Sequence, residues 1–325
     1  MVSGMSKSKS TKGAVTKEHK QNFKKQTLKL IKRNWILYLF LLPALAYIIV
    51  FCYAPMYGVQ IAFRDYRFKD GITGSEWVGL KWFIKFFESS RFGSTLWNTL
   101  AISLYSLIVS FPLPIILALI MNNVKNLKYK KFAQTITYMP HFISTVVMVS
   151  MLSVFFSPTS GFVNTILEFF GGSGNTFFMG ESKYFRHMYL WSGVWQGMGW
   201  GSIIYMAALA GVDQQLHEAA MIDGANKFKR VWHIDIPSIM PTIAIMLIMS
   251  LGSVMSVGYE KTYLMQNNLN IDVSEVISTY VYKVGMQKQQ YSFSSAIGLF
   301  NNIINLICLV LGNKVVGKLS GSSLM

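Results

Sequence analysis

Apolar residues along this chain come in long blocks, not in alternation with polar ones. Six blocks of more than twenty residues (34–63, 92–124, 132–167, 187–212, 236–259 and 289–313) contain no Asp, Glu, Lys or Arg. Crossing about 30 Å of hydrocarbon takes about 20 helical residues, and hydrocarbon offers backbone groups no partner outside the segment. Each block therefore predicts one spanning helix. The set predicts an all-α polytopic membrane protein with helices near 35–61, 95–121, 132–157, 188–212, 241–264 and 294–313. The first block is too long for a cleavable signal core, and no small-residue cleavage site follows it.

Composition agrees. The chain is 52% hydrophobic and 14% charged, against about 25% charged in soluble domains. Its net charge of +16 raises nucleic acid as a partner, but the placement of the charges excludes it. Residues 1–33 hold ten Lys and Arg against the single acid Glu18, in a Ser/Thr/Lys-rich stretch expected to be a disordered, lipid-facing tail. Lys and Arg favour the cytoplasmic side, so this tail is expected inside, together with the connections 122–131 and 213–235 and a C-terminal tail at 317–325. The outer connections carry nearly balanced charge, with no leaning toward an anionic glycan.

The chemistry of catalysis is missing from the sequence. No GxxxxGK[ST] loop for nucleotide phosphates occurs, and the five histidines show no metal-binding spacing. No cofactor or metal is expected in this chain. Cys52 and Cys308 both fall inside predicted helices, as packing residues. Glu260 and Lys261 sit side by side at the end of the fifth helix, either paired at the interface or lining an entrance.

What the helices do carry is uncharged hydrogen-bonding and aromatic residues. Asn98, Ser103 and Tyr105 lie in the second, Tyr138 in the third, Trp191, Trp195, Gln196 and Tyr205 in the fourth, and Asn301 and Asn305 in the sixth. Amides, hydroxyls and aromatic faces suit a polar, uncharged solute such as a sugar. The same residue types also serve as interhelical glue. Of these, Asn98, Tyr105, Tyr138, Trp191, Trp195, Gln196, Asn301 and Asn305 are the candidates for a substrate pathway. Gly193, Gly197 and Gly201 recur every four residues and predict a face open to close helix approach.

The loop 213–241 is the most informative stretch. Asp213 to Asp223 predicts a short helix that Gly224 breaks, and Asn226 starts a second that Pro237 and Pro241 close, opening helix five. Glu218-Ala219-Ala220, then Asp223-Gly224-Ala225, then Ile234 and Pro237 with Pro241 four residues on, resembles the loop signature of type I, binding-protein-dependent ABC importer permeases. His217 stands where that family commonly has Tyr. Further stretches, among them Trp97-Asn98-Thr99-Leu100, Tyr138-Met139-Pro140 and 275–282, are similar to the subgroup that imports oligosaccharides and polysaccharide fragments.

The resemblance implies a multi-pass subunit of a bacterial cytoplasmic membrane with both termini inside. It would stand beside a second, related permease, two cytoplasmic ATPase subunits that carry ATP and Mg, and an extracytoplasmic solute-binding protein that delivers a carbohydrate. Glu218, Ala219, Ala220, Asp223, Gly224, Ala225, Ile234 and Pro237 would form the coupling loop that meets the ATPase. A membrane-embedded glycan enzyme or a secondary transporter are the alternatives. The first should show catalytic acids or a histidine cluster at the membrane face, the second an internal repeat and intramembrane carboxylates.

Overall fold

The structure, a computed structural model, describes residues 29–30 and 32–320. Most of the expected basic tail 1–33 lies outside the described residues, although Lys29, Leu30, Lys32 and Arg33 are helical. The chain divides at Gln60 and Ile61 into two units.

The first unit is dominated by α1, a helical path over Trp35–Phe63. It widens into a π turn at Ile48–Tyr53 just before Pro55. Proline has no N–H for the carbonyl four residues back, and a wide turn takes up that missing bond.

The second unit begins with a departure from the all-α expectation. Arg64–Asp65 and Glu76–Trp77 pair as a two-stranded antiparallel ribbon, β1 and β2. Arg64 Nη1 donates to the Ser75 carbonyl at 2.7 Å and ties the ribbon's loop. Then follow α2 (Lys81–Phe87), α3 (Phe92–Asn122), α4 (Leu127–Phe142), α5 (Thr145–Phe155), α6 (Phe162–Phe169), α7 (Ser182–Ala210), α8 (Gln214–Ile222) and α9 (Lys227–Gly252). The chain ends in α10 (Tyr259–Met265), α11 (Ile277–Tyr282) and α12 (Tyr291–Ser320). The last helix thus continues into the expected tail 317–325, whose final five residues lie outside the described ones.

Among the described residues four helices, α1, α3, α9 and α12, are long and apolar enough to cross a membrane, and the α4–α5 pair would make a fifth. Helix α7 is 29 residues long, yet its Gly, Ser, Gln and Trp content keeps it out of that set. Two expected spans differ in shape. The third, expected as one helix over 132–157, is instead two, α4 and α5, with a bend of 98° between them. Pro140 and the extended Ile143 stop the first helix, and Ser144, whose hydroxyl accepts from the Val147 N–H, starts the second. The fifth, expected over 241–264, begins far earlier and ends at Gly252, leaving 253–258 non-helical before α10. A charge-free run sets how apolar a segment is, not whether its backbone stays helical.

Close approach explains which helices pack. A Cβ on Gly252 would lie 2.7 Å from Leu309, and one on Gly312 equally near Leu251, so α9 and α12 pack along each other with two glycines facing two leucines. Helix α7 packs along the second half of α3. In the face expected of Gly193, Gly197 and Gly201, a Cβ on Gly201 would lie 3.3 Å from Pro114, and one on Gly197 would meet nothing. The tight contact belongs to Gly199, where a Cβ would collide with the Thr137 carbonyl of α4.

Candidate functional site

At the C-terminal end of α7 the loop 213–241 forms a helical knob. Asp213 caps α8 by accepting from the Gln215 N–H at 2.9 Å. Two residues beyond its end the backbone reverses through Gly224, at φ +76°. There the Gly224 N–H reaches the Met221 carbonyl at 3.1 Å and the Ala225 N–H the Ala220 carbonyl at 2.8 Å. This left-handed closure of a helix end is what glycine permits and other residues resist. Asn226 then caps α9 through the Lys229 N–H.

The Pro237–Pro241 pair does not close a separate second helix, as the sequence predicted. Lys227 to Gly252 is one path, with a π turn at Val231–Asp235 just ahead of Pro237 and with Pro241 inside the helix. The second half of the knob is therefore the start of α9 itself, with no intervening loop. Glu218, Ala219, Asp223, Gly224 and Pro237 are exposed, while Ala220, Ala225 and Ile234 are half-buried. The knob also exposes Ile222 (87%), Phe228 (74%) and Trp232 (60%), with the last two rings stacked at 6.4 Å. Exposed apolar side chains of this kind are the material of docking surfaces. Their i, i+4 spacing was the signal available in the sequence.

Further along α7, a cavity of about 340 Å³ opens between α3, α7, α9 and the non-helical 253–258 segment. Its polar lining is hydroxyl: Ser103, Ser106, Ser110, Ser250, Ser253, Ser256, Tyr189 and Tyr205. The size falls within the roughly 300–1,000 Å³ of small-molecule sites. None of the eight candidate pathway residues lines it.

Those eight are placed elsewhere. The buried Asn98 donates to the carbonyls of Asp272 (2.8 Å) and Glu275 (3.1 Å) and accepts from Arg186 Nη2 at 3.0 Å. Gln196 Nε2 donates to the Ile143 carbonyl at 2.7 Å, meeting the backbone group that the α4–α5 bend frees. Asn305 accepts from the Met255 N–H at 2.8 Å and donates to Ser256 Oγ at 3.0 Å, clamping the break after α9. Broken backbone at membrane depth requires such partners. Trp191 and Trp195 line an apolar hollow of about 260 Å³ with Met148, Met151 and Met188. Tyr138 lies against Met206, and the buried Oδ1 of Asn301 has no hydrogen-bond partner among the described residues. Tyr105 alone lines a polar cavity, a second one of about 470 Å³ near the N-terminus of α7, where its hydroxyl meets His187 Nδ1 at 2.9 Å.

Lys261 does not pair with Glu260. Its ammonium donates to the Tyr189 carbonyl at 2.7 Å and sits 4.7 Å from that ring's centre, beside the hydroxyl cavity. No group of three or more His, Cys, Asp or Glu side chains suited to a metal occurs among the described residues.

Known proteins resemble the chain over nearly its whole length. Residues 110–319 match the family described as binding-protein-dependent transport system inner membrane component. The chain is 42% identical to the polygalacturonan/rhamnogalacturonan transport system permease protein YteP of Bacillus subtilis, over 92% of each chain. It is also 42% identical to the protein LplB of the same organism, over 89% of this chain and 90% of that one. Among solved structures, a chain of a bacterial alginate ABC transporter, crystallised with an alginate pentasaccharide-bound periplasmic protein, matches with a TM-score of 0.83. That match has 36% identity and covers 91% of this chain and 99% of the other.

Proposed function

Because the chain belongs to the binding-protein-dependent transport system inner membrane components, the permease subunits of ABC importers, we propose that it forms half of the membrane pathway of an ATP-driven importer of acidic oligosaccharides. An enzyme or a secondary transporter is not favoured. The acidic class is supported by two similar proteins, one named for polygalacturonan and rhamnogalacturonan and the other for alginate. In this reading the chain crosses six times, with α7 and the bent α4–α5 pair each taken as one span, and both termini and the knob are cytoplasmic.

The partners are a second, related permease, two ATPase subunits that bind ATP and Mg, and an extracytoplasmic binding protein. Glu218, Ala219, Ala220, Asp223, Gly224, Ala225, Ile234 and Pro237 shape the knob, and Ile222, Phe228 and Trp232 give it an apolar surface for a cleft of the ATPase. Nucleotide-driven closure of the ATPases draws the knobs together, and α9 carries that displacement to the break at 253–258 beside the hydroxyl cavity. Outward and inward access then alternate.

The single observation that carries this reading is one continuous helix, α9, joining the exposed knob to the wall of the hydroxyl cavity. The test is purification of the native complex from membranes, identification of its subunits, and a screen of the co-purified binding protein against acidic and neutral oligosaccharides. Recovery of the chain without any ATPase subunit overturns it.

A further inference from the structure

The second polar cavity, about 470 Å³ at the end of α7 opposite the knob, is lined by Tyr105, Ser182, Lys183, Arg186 and His187. Its cations differ in how they are neutralised. Lys183 pairs with Glu181 at 2.7 Å, Asp272 accepts from Ser182 Oγ at 2.6 Å, and Glu275, whose carbonyl binds Asn98, has its carboxylate paired with Arg91 and Lys283. Arg186 has no carboxylate within 4.0 Å among the described residues. Its one hydrogen bond runs from Nη2 to Asn98 Oδ1, and its Nε is enclosed with no acceptor. Asn98 is itself fixed by two backbone carbonyls, so the guanidinium is held in place by a neutral partner that leaves its charge intact. A half-buried, uncompensated guanidinium with donors to spare calls for an anionic acceptor, and its planar fork matches a carboxylate.

We propose that Arg186 reads the carboxylate of a uronate unit as an acidic oligosaccharide enters the pathway, with Tyr105 and His187 as the neighbouring sugar contacts. The assignment rests on the acidic-oligosaccharide reading above and names the group that selects for it. The cavity shares α3 and α7 with the hydroxyl cavity. A chain of sugars threading between these helices meets the charged group first and the serines after it. Arg186 thus serves as the charge filter, while the serine hydroxyls accept the rest of each sugar ring.

The test uses the complete complex with its binding protein in proteoliposomes and compares uptake of a trigalacturonate with that of its carboxyl-reduced, neutral counterpart. Arg186→Gln is expected to lower uronate uptake about ten-fold or more, the scale of one charge-assisted hydrogen bond, and to lower neutral uptake far less. Arg186→Lys, which keeps the charge, is expected to recover a substantial part and covers the case in which the Gln variant fails to assemble. If both substrates fall equally with a lowered melting temperature and no rescue by Lys, Arg186 is only a brace for Asn98 and the proposal is overturned. Uronate uptake within two-fold of wild type in both variants overturns it too, while leaving the importer reading intact. A wild-type complex that imports only the neutral sugar overturns the acidic-substrate reading and this proposal together.

Discussion

The imidazole Nε2 of His217, on the knob helix α8, lies 3.3 Å from Oδ1 of Asp235 in the π turn of α9, and the carboxylate is almost fully buried. The pair fastens the knob to the helix that leads toward the hydroxyl cavity, and His217 sits where the related loop commonly carries Tyr. His217→Ala removes the imidazole that faces this buried carboxylate and is expected to loosen the attachment of α8 to α9. Transport-coupled ATPase activity is expected to fall, and the His217→Ala/Asp235→Asn double variant to recover part of it, because the stranded charge is gone. A double-mutant cycle with no coupling between the two positions would show that the pair is incidental.

Gly224 holds a left-handed backbone at the turn of the knob. Gly224→Val is expected to cost about 1–2 kcal/mol locally and to misplace Ile222 relative to Phe228, so ATPase subunits co-purify poorly although the chain still inserts. Gly224→Asn, which tolerates that conformation, should lie close to wild type. Glu218→Lys reverses an exposed charge on α8 and is expected to reduce coupling without altering insertion. Pull-down of the ATPase subunits and uptake in parallel check all three.

Asn305 satisfies the backbone at the break after α9. Asn305→Leu leaves the buried Met255 N–H without its acceptor, at a cost of about 1–3 kcal/mol. The expected result is a lower melting temperature of the detergent-solubilised complex, and an unchanged melting curve would refute the role.

Gly199 and Gly197 make a contrasting pair two residues apart. Gly199→Ala sets a Cβ against the Thr137 carbonyl and is expected to drive α4 and α7 apart, lowering membrane abundance. Gly197→Ala meets nothing within 4 Å and is expected to be neutral. Equal abundance of the two variants on immunoblots of membranes would contradict the observed approach.

Ser250 lines the hydroxyl cavity. Ser250→Trp fills that space, so uptake is expected to fall sharply while subunit association is retained. Normal uptake by an assembled Ser250→Trp complex would move the solute path elsewhere.

The long charge-free blocks, the basic bias of the connections and the spaced residues of the loop 213–241 are local properties, and each was legible in the sequence. Helix content follows from hydrophobicity and length because hydrocarbon leaves the backbone no other partner. The knob follows from Asp213, Gly224 and Asn226 because capping and chain reversal involve residues only a few positions apart. Where α4 gives way to α5, and where α9 stops, was not legible, since an apolar run contributes the same transfer energy straight or bent. The roles of Asn98, Gln196 and Asn305 were hidden for a related reason. An amide in a helix declares that it needs partners, but the backbone groups it serves lie about 50 to 180 residues away, and only the tertiary fold brings them together. The same fold turned scattered serines on α3, α9 and the segment after it into one cavity wall and left Arg186 as a cation held by an amide, with no carboxylate partner among the described residues.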